Sequence, residues 1–190
     1  MNTPSHSIIN LWILGQGQSP ALQTAVLIGS ILPDAPMFLF YFVEKVIYRT
    51  PEMQIWREHY YIEGWQNFFD VFNSLPFILV GFAVMWWRQS SVGMAFFASM
   101  ALHALGDLPL HHDDGHRHFF PFSNWRFESP VSYWDPNHHG RIAAPIEMLI
   151  AIIGCVVLFP TYQSWVGRGL ILTLGASYGS YIIYALFVWA

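Results

Sequence analysis

The 190-residue chain is strongly apolar: 54% of its residues are hydrophobic, 18% are aromatic and 11% are charged. Soluble domains carry roughly 25% charged residues, so the composition excludes an ordinary soluble globule and predicts a single membrane domain over residues 1–190. The net charge is −4, with eight Lys and Arg residues. This argues against a nucleic-acid partner, which would need a basic face to neutralise its phosphates.

The N-terminal part is predicted to be helical over residues 5–48, with one interruption. An apolar run over 21–43 is broken by PDAP at residues 33–36. Two prolines remove backbone hydrogen bonds that a continuous helix needs. In lipid, such a break is tolerated only where protein or a water-filled cavity supplies new partners. Asp34 therefore marks either a tight turn between two helices or a broken helix that lines a site.

The rest of the chain is predicted to contain an interfacial segment over 49–70, several membrane spans and one long His-rich connection. About 20 apolar residues are needed to cross a bilayer core, so the shorter apolar runs must recruit flanking polar residues. The predicted spans are 71–88, 91–107, 142–160 and 169–189, and the connection is 108–141. We therefore expect an all-α polytopic membrane protein with four to five membrane-inserted helices.

Residues 101–140 hold seven of the nine histidines and four of the six aspartates. His103 and Asp107 stand four residues apart, so their side chains point the same way on a helix. Neutral imidazole and carboxylate together suit zinc, manganese or iron. An ionisable group within an apolar helix also indicates function, because its burial is costly. The pair predicts a metal site; the alternative is a His–Asp hydrogen bond that joins two helices.

The sequence HHDDGHRH at residues 111–118 follows this pair and offers more ligands than one zinc ion, which takes about four, can use. Some of these side chains must orient the ligating rings or remain in solvent. We expect metal ligands from His111 or His112, together with Asp113 or Asp114. The other histidines of this segment fit an exposed loop equally well.

Three further ionisable residues stand at the ends of apolar helices: His6, Asp34 and Asp70. Each is a candidate metal ligand. Each also has a simpler explanation: His6 as a surface or capping residue, Asp34 as part of a turn, and Asp70 as a carboxylate favoured by the dipole of a helix N-terminus.

Four segments of the chain, in order, resemble the bacterial family of inner-membrane metal-dependent hydrolases typified by a LexA-regulated member: TPSHSIINLWILG, GSILPDAP, DVFNSLP and ALHALGDLPLHHDDGHRHFFPFSNWRF. The resemblance covers residues 3–126 and implies metal ligands at His6, Asp34, His103 and Asp107. In place of the family's HRxxTHS segment this chain has DVFNSLP, so two expected histidines are missing. The family's ligand pattern is similar to that of zinc-dependent phospholipase C-like enzymes, which hydrolyse phosphodiesters.

The sequence thus predicts a hydrolase of the bacterial inner membrane that uses a divalent metal ion, zinc or alternatively manganese or iron. Its substrate would be a lipid or small-molecule ester or phosphoester at the bilayer surface, attacked by a water whose pKa the metal lowers to about 7. Asp113 or Asp114 would take the proton, and Arg117 would hold the developing negative charge. The alternatives are a membrane metal-binding or transport protein and a non-catalytic structural protein.

Overall fold

The computed structural model describes residues 1–189, and the side chains of residues 1–183. Every regular element in this part of the chain is helical, which confirms the predicted all-α class. The helices are α1 (Thr3–Asn10), α2 (Pro20–Ile31), α3 (Ala35–Phe42), α4 (Glu52–Arg57), α5 (Glu63–Asn73), α6 (Leu75–Trp87), α7 (Ser91–Asp107), α8 (Gly140–Leu158) and α9 (Trp165–Trp189). Turns of π-helix extend α1 over Leu11–Gly15 and α3 over Val43–Ile47.

Two helical segments among the described residues are long and apolar enough to cross a membrane. They are Glu63–Trp87, with 25 residues, and Gly140–Thr161, with 22 residues. A third is possible if Pro20–Ile31 and Ala35–Ile47, which meet at a bend of 52°, form one broken span. The number of candidate spans is therefore two or three, which is fewer than the predicted four to five.

The difference in span number has a physical reason in the lengths of the helices. The predicted span 71–88 is the C-terminal part of the longer segment Glu63–Trp87. Helix α7 has 17 residues, which gives it a length of about 26 Å. The hydrocarbon core of a bilayer is about 30 Å thick, so α7 is too short to cross it upright. The predicted span 169–189 extends into residues 184–189, which lie outside the described side chains.

Helices α1, α2 and α7 pack together through polar contacts as well as apolar ones. Gly29 on α2 faces the backbone of α7, and a Cβ atom there would collide with the carbonyl oxygen of Phe96. This close approach lets Ser99 Oγ on α7 donate to Val26 O on α2 over 2.6 Å. Asn10 Nδ2 on α1 donates to the carbonyl of Ser99 over 2.8 Å. These buried bonds fix α7, which carries His103 and Asp107, against its two neighbours.

The His-rich connection, residues 108–141, is tied to the helical body at several points. His118 O accepts a hydrogen bond of 2.8 Å from Leu75 N, the first residue of α6. Ser74 Oγ donates to Phe120 O over 2.6 Å, and Asp70 on α5 accepts a hydrogen bond of 3.0 Å from Arg117 N. These bonds hold the connection against α5 and the start of α6, and within the connection Tyr133 N donates to Leu110 O over 2.9 Å.

Candidate metal centre

The centre of the site is a buried group of three side chains: His6 from α1, and His103 and Asp107 from the last turns of α7. One ligand atom from each lies within 4.8 Å of the other two. His6 and His103 are 0% exposed and Asp107 is 2% exposed. His6 Nε2 lies 2.8 Å from Asp107 Oδ1, and His103 Nε2 lies 3.0 Å from Asp107 Oδ2. The two imidazole rings stack, with centroids 3.5 Å apart.

The carbonyl of Ser30 on α2 sets the orientation of the His103 ring. It accepts a hydrogen bond of 2.7 Å from His103 Nδ1. In a neutral imidazole, the other nitrogen then carries a lone pair. That nitrogen, His103 Nε2, is buried beside Asp107 Oδ2, at 3.0 Å, and Asp34 Oδ1, at 3.4 Å. The carboxylate oxygens that it faces also carry only lone pairs. The nitrogen and the oxygens together therefore form a set of ligand atoms that suits a cation.

Asp34 is the fourth predicted ligand that the fold brings to this group. Its Oδ1 lies 3.4 Å from His103 Nε2, and its Oδ2 accepts a hydrogen bond of 2.5 Å from Thr3 Oγ1 on α1. Asp34 lies at the bend between α2 and α3. The structure thus has a turn over residues 32–34, and the Asp34 carboxylate at this turn faces His103, so features of both predicted alternatives are present.

A positively charged group already lies beside Asp107. The α-amino nitrogen of Met1 is 2.6 Å from Asp107 Oδ1 and 3.0 Å from His111 Nε2. An ammonium ion is drawn to the same oxygen and nitrogen atoms that would bind a metal cation. The contact compensates part of the charge of the buried Asp107 carboxylate, as a bound cation would.

His111 and Asp114 form a second layer on this group. His111 Nε2 lies 3.2 Å from Asp107 Oδ1, and its Nδ1 lies 3.1 Å from Asp114 Oδ1. Burial lowers the pKa of His111, but the Asp107 carboxylate, aided by Asp114, raises it to about 9. Asp114 is fixed in turn by a 2.8 Å hydrogen bond from Trp134 Nε1 to its Oδ2. This chain of contacts orients the His111 ring toward Asp107.

His112 and Asp113 lie away from the group, although they neighbour His111 and Asp114 in sequence. The His112 ring stacks on His138 with centroids 3.6 Å apart, and His112 Nδ1 donates to Ser129 O over 2.7 Å. Asp113 is exposed. The structure thus brings His111, and not His112, to the centre, together with Asp114 and not Asp113. The sequence could not decide between these neighbours, because the segment is irregular and has no fixed period.

Asp70 and Arg117 belong to a separate buried ion-pair network. Asp70 accepts hydrogen bonds from the backbone N of Arg117, at 3.0 Å, and from its Nε. The Nη1 and Nη2 atoms of Arg117 donate to Asn124 and Asn67. His116 Nδ1 lies 3.5 Å from Asp70 Oδ1. The structure therefore places both residues in contacts that anchor the connection to α5; their predicted roles as ligand and as charge-holding group stay predictions.

Several residues that contact the site were not singled out as candidates from the sequence. Ser30 and Trp134 act through single hydrogen bonds that leave no trace in sequence spacing. The Tyr133 ring lies with its centroid 5.1 Å from that of His111. Glu147 differs from these residues, because an ionisable group in an apolar run predicts a buried partner, with a metal, an arginine or a histidine as the candidates. Its Oε1 instead accepts hydrogen bonds of 2.9 Å from both N and Nδ2 of Asn2.

Comparison with models of protein families, with curated proteins and with solved structures finds no match for this chain. The resemblance to inner-membrane metal-dependent hydrolases therefore stays a prediction.

Proposed function

We propose that this chain is a metal-dependent hydrolase of the bacterial inner membrane that acts on an ester or phosphoester at the bilayer surface. The observation that carries the proposal is the buried His6–His103–Asp107 group, whose ligand atoms lie within 4.8 Å of one another. Two imidazoles and a carboxylate are a usual set of three protein ligands for a catalytic zinc ion. We therefore propose zinc, with manganese and iron as the alternatives.

Each side chain has a distinct role in this proposal. His6, His103 and Asp107 would hold the cation, with Asp34 close enough to His103 Nε2, at 3.4 Å, to serve as a further ligand. A bound zinc ion would supply Lewis acidity and lower the pKa of a water molecule at the site to about 7. Ser30 O would keep His103 Nδ1 protonated and its Nε2 free to coordinate.

The His111–Asp114 pair is the proposed proton acceptor. The Asp107 charge raises the pKa of the His111 ring to about 9. A cation bound to Asp107 would compensate that charge and lower the pKa of the ring, which favours its neutral form. His111 Nε2 would then accept a proton from the attacking water, while Asp114 at Nδ1 stabilises the resulting imidazolium. In this scheme Asp114 acts through His111, and Trp134 fixes Asp114 by its N–H group.

The helices around the site support a position at a membrane. The site joins α7 to α1 and to the bend after α2, beside the two to three segments that are long and apolar enough to cross a bilayer. Asp107 is the last residue of α7, so the site lies where the helical body meets the connection. A substrate with an apolar part in the bilayer and a scissile bond at its surface suits this location.

The test is hydrolysis by purified protein in detergent, with bis-p-nitrophenyl phosphate and a p-nitrophenyl ester as probes. We expect turnover with added Zn²⁺ or Mn²⁺, loss of turnover on chelation, and at least about a 100-fold loss in His103→Ala, because removal of a ligand removes the activated water. His112→Ala is the matched control and should keep activity. Stoichiometric metal without hydrolysis of any probe would contradict the proposal and favour a metal-binding or transport protein.

A further inference from the structure

We infer that the substrate is an anionic single-chain amphiphile that contains an ester or phosphoester bond, with its phosphate or carboxylate headgroup at Arg141 and its acyl chain in an apolar groove along α8. The inference rests on the proposed function, because it names the substrate class of the same site. It is drawn from two cavities, of about 760 Å³ and about 480 Å³, which are both of the size that small ligands occupy.

The larger cavity borders the proposed proton acceptor. Its wall includes Tyr133, Trp134, Tyr178 and Arg141. The ring of Tyr133 lies against His111, with centroids 5.1 Å apart, and Trp134 Nε1 donates to Asp114. A group bound in this cavity is therefore separated from the His111–Asp114 pair only by the side chains that touch that pair.

Arg141 gives the larger cavity a positive charge. Among the described residues that line the cavity there is no Asp or Glu, and no ion pair of Arg141 is formed within that part of the chain. The guanidinium group presents a planar fork of N–H donors that matches a phosphate or carboxylate. The cavity thus selects an anionic headgroup over a neutral or zwitterionic one.

The smaller cavity is an apolar groove on the neighbouring face of the same helix. Ile142, Ile146 and Ile150 line it at a spacing of four residues, which places them on one face of α8. Ile9, Leu110 and Val131 complete its apolar wall. The three isoleucines extend about 12 Å along the helix, in the direction in which a candidate membrane span leads away from the connection.

The walls of the two cavities are linked at the N-terminal residues and Glu147. Asn2 lines the larger cavity, while Met1 and Glu147 line the groove. Asn2 and Glu147 are joined by two hydrogen bonds of 2.9 Å, and the Met1 α-amino group contacts Asp107 in the candidate metal centre. An amphiphile with its head in one cavity and its chain in the other would therefore pass beside the proposed reaction centre.

The experiment measures binding of radiolabelled amphiphiles to chelator-treated, full-length protein in maltoside detergent, so that no metal and no turnover are required. The probes are palmitoyl lysophosphatidate, palmitate, palmitoyl lysophosphatidylcholine and glycerol phosphate. We expect the two anionic amphiphiles to bind at least about tenfold more tightly than the zwitterionic one, and glycerol phosphate not to bind. The affinity should rise as the chain of the lysophosphatidate is lengthened from eight to sixteen carbons. Lysophosphatidate and palmitate distinguish a phosphate headgroup from a carboxylate headgroup.

Three variants assign the binding to the two cavities. Arg141→Gln should weaken binding of the anionic probes at least about tenfold and remove the preference over lysophosphatidylcholine. Ile146→Trp, on a half-exposed groove position, should remove the dependence on chain length. Arg88→Gln is the control, because Arg88 is exposed and lines neither cavity.

Equal binding of anionic and zwitterionic probes by the wild type, or unchanged binding in Arg141→Gln, would overturn the inference. Absence of any binding by the wild type would also overturn it. The chain-length series is measured on the wild type alone, so this outcome does not depend on whether a variant folds. Since the protein is metal-free in these measurements, failure of the hydrolase proposal would appear separately, as absence of turnover in a protein that still binds the amphiphile.

Discussion

His6 Nε2 lies 2.8 Å from Asp107 Oδ1, although 101 residues separate the two in sequence. Both side chains are buried, and burial of a carboxylate is unfavourable unless charge or hydrogen bonds compensate it. Asp107 also faces His103, His111 and the Met1 α-amino group. Its two oxygens are thus the point at which α1, α7 and the connection meet.

Asp114→Asn should lower hydrolytic turnover by about 10- to 100-fold while metal content stays unchanged. The amide would orient the His111 ring less firmly and would not stabilise an imidazolium, and changes to groups that orient site residues have effects of this size. The measurement is turnover of bis-p-nitrophenyl phosphate beside metal content of the same sample. Asp113→Asn, at the exposed neighbouring position, is the control, and an equal loss in both variants would contradict the role given to Asp114.

Removal of one partner of the buried Asp70–Arg117 pair should destabilise the protein strongly. Asp70 is 0% exposed, and Arg117 bonds to it through both backbone and guanidinium nitrogens. Arg117→Met leaves a buried carboxylate without its main partner, which typically costs about 3–5 kcal/mol. The measurement is the free energy of unfolding in mixed detergent micelles.

The control for this ion pair is Lys45→Met. Lys45 pairs with Glu52 at 2.7 Å, but both side chains are largely exposed, so loss of this pair should leave stability unchanged. A further variant, Asp70→Leu with Arg117→Leu, should be more stable than Arg117→Met alone, because no charge is left buried. Arg117→Met with the stability of the wild type would show that the network does not anchor the connection.

His118 should make the protein less stable in acid. Its side chain is 3% exposed, and burial lowers its pKa to about 4, whereas an unfolded histidine has a pKa of about 6.5. Between these values the unfolded chain binds a proton and the folded chain does not, so stability is lost as the pH falls from about 6.5 toward about 4. At pH 5 the loss would be about 2 kcal/mol.

The measurement for His118 is the thermal midpoint in detergent at pH 7 and pH 5, for wild type and for His118→Gln. The glutamine does not titrate, so the variant should lose less stability between the two pH values than the wild type. Other histidines titrate equally in both proteins and cancel in the comparison. The same pH dependence in both would contradict the lowered pKa of His118.

The local part of the site was predictable from sequence. His103 and Asp107 stand one helical turn apart, so their common direction follows from helix geometry alone. The proline-flanked Asp34 predicted a break, and the structure has a 52° bend at that point. The resemblance to a hydrolase family implied His6 as a partner for them, and the fold brings it into contact with Asp107.

Other features depend on tertiary contacts that sequence spacing does not encode. In the irregular connection no fixed period decides between His111 and His112, and the choice is made by the stacking of His112 on His138. The number of spans was overestimated because an apolar helix can be too short to cross a bilayer: α7 has the predicted bounds, 91–107, but only 17 residues. Asp70 was a candidate ligand, but its pairing with Arg117, 47 residues away, arises only from the fold.

The measurement that tests the account most directly is the metal content of purified protein, by elemental analysis, for wild type and for His6→Ala, His103→Ala, Asp107→Ala and His112→Ala. We expect about one equivalent of a divalent metal in the wild type and in His112→Ala, and its loss in the other three variants, with all proteins folded by circular dichroism. Absence of metal from folded wild type, or retention of metal by the His103 and Asp107 variants, would contradict the assignment of this group as a metal centre.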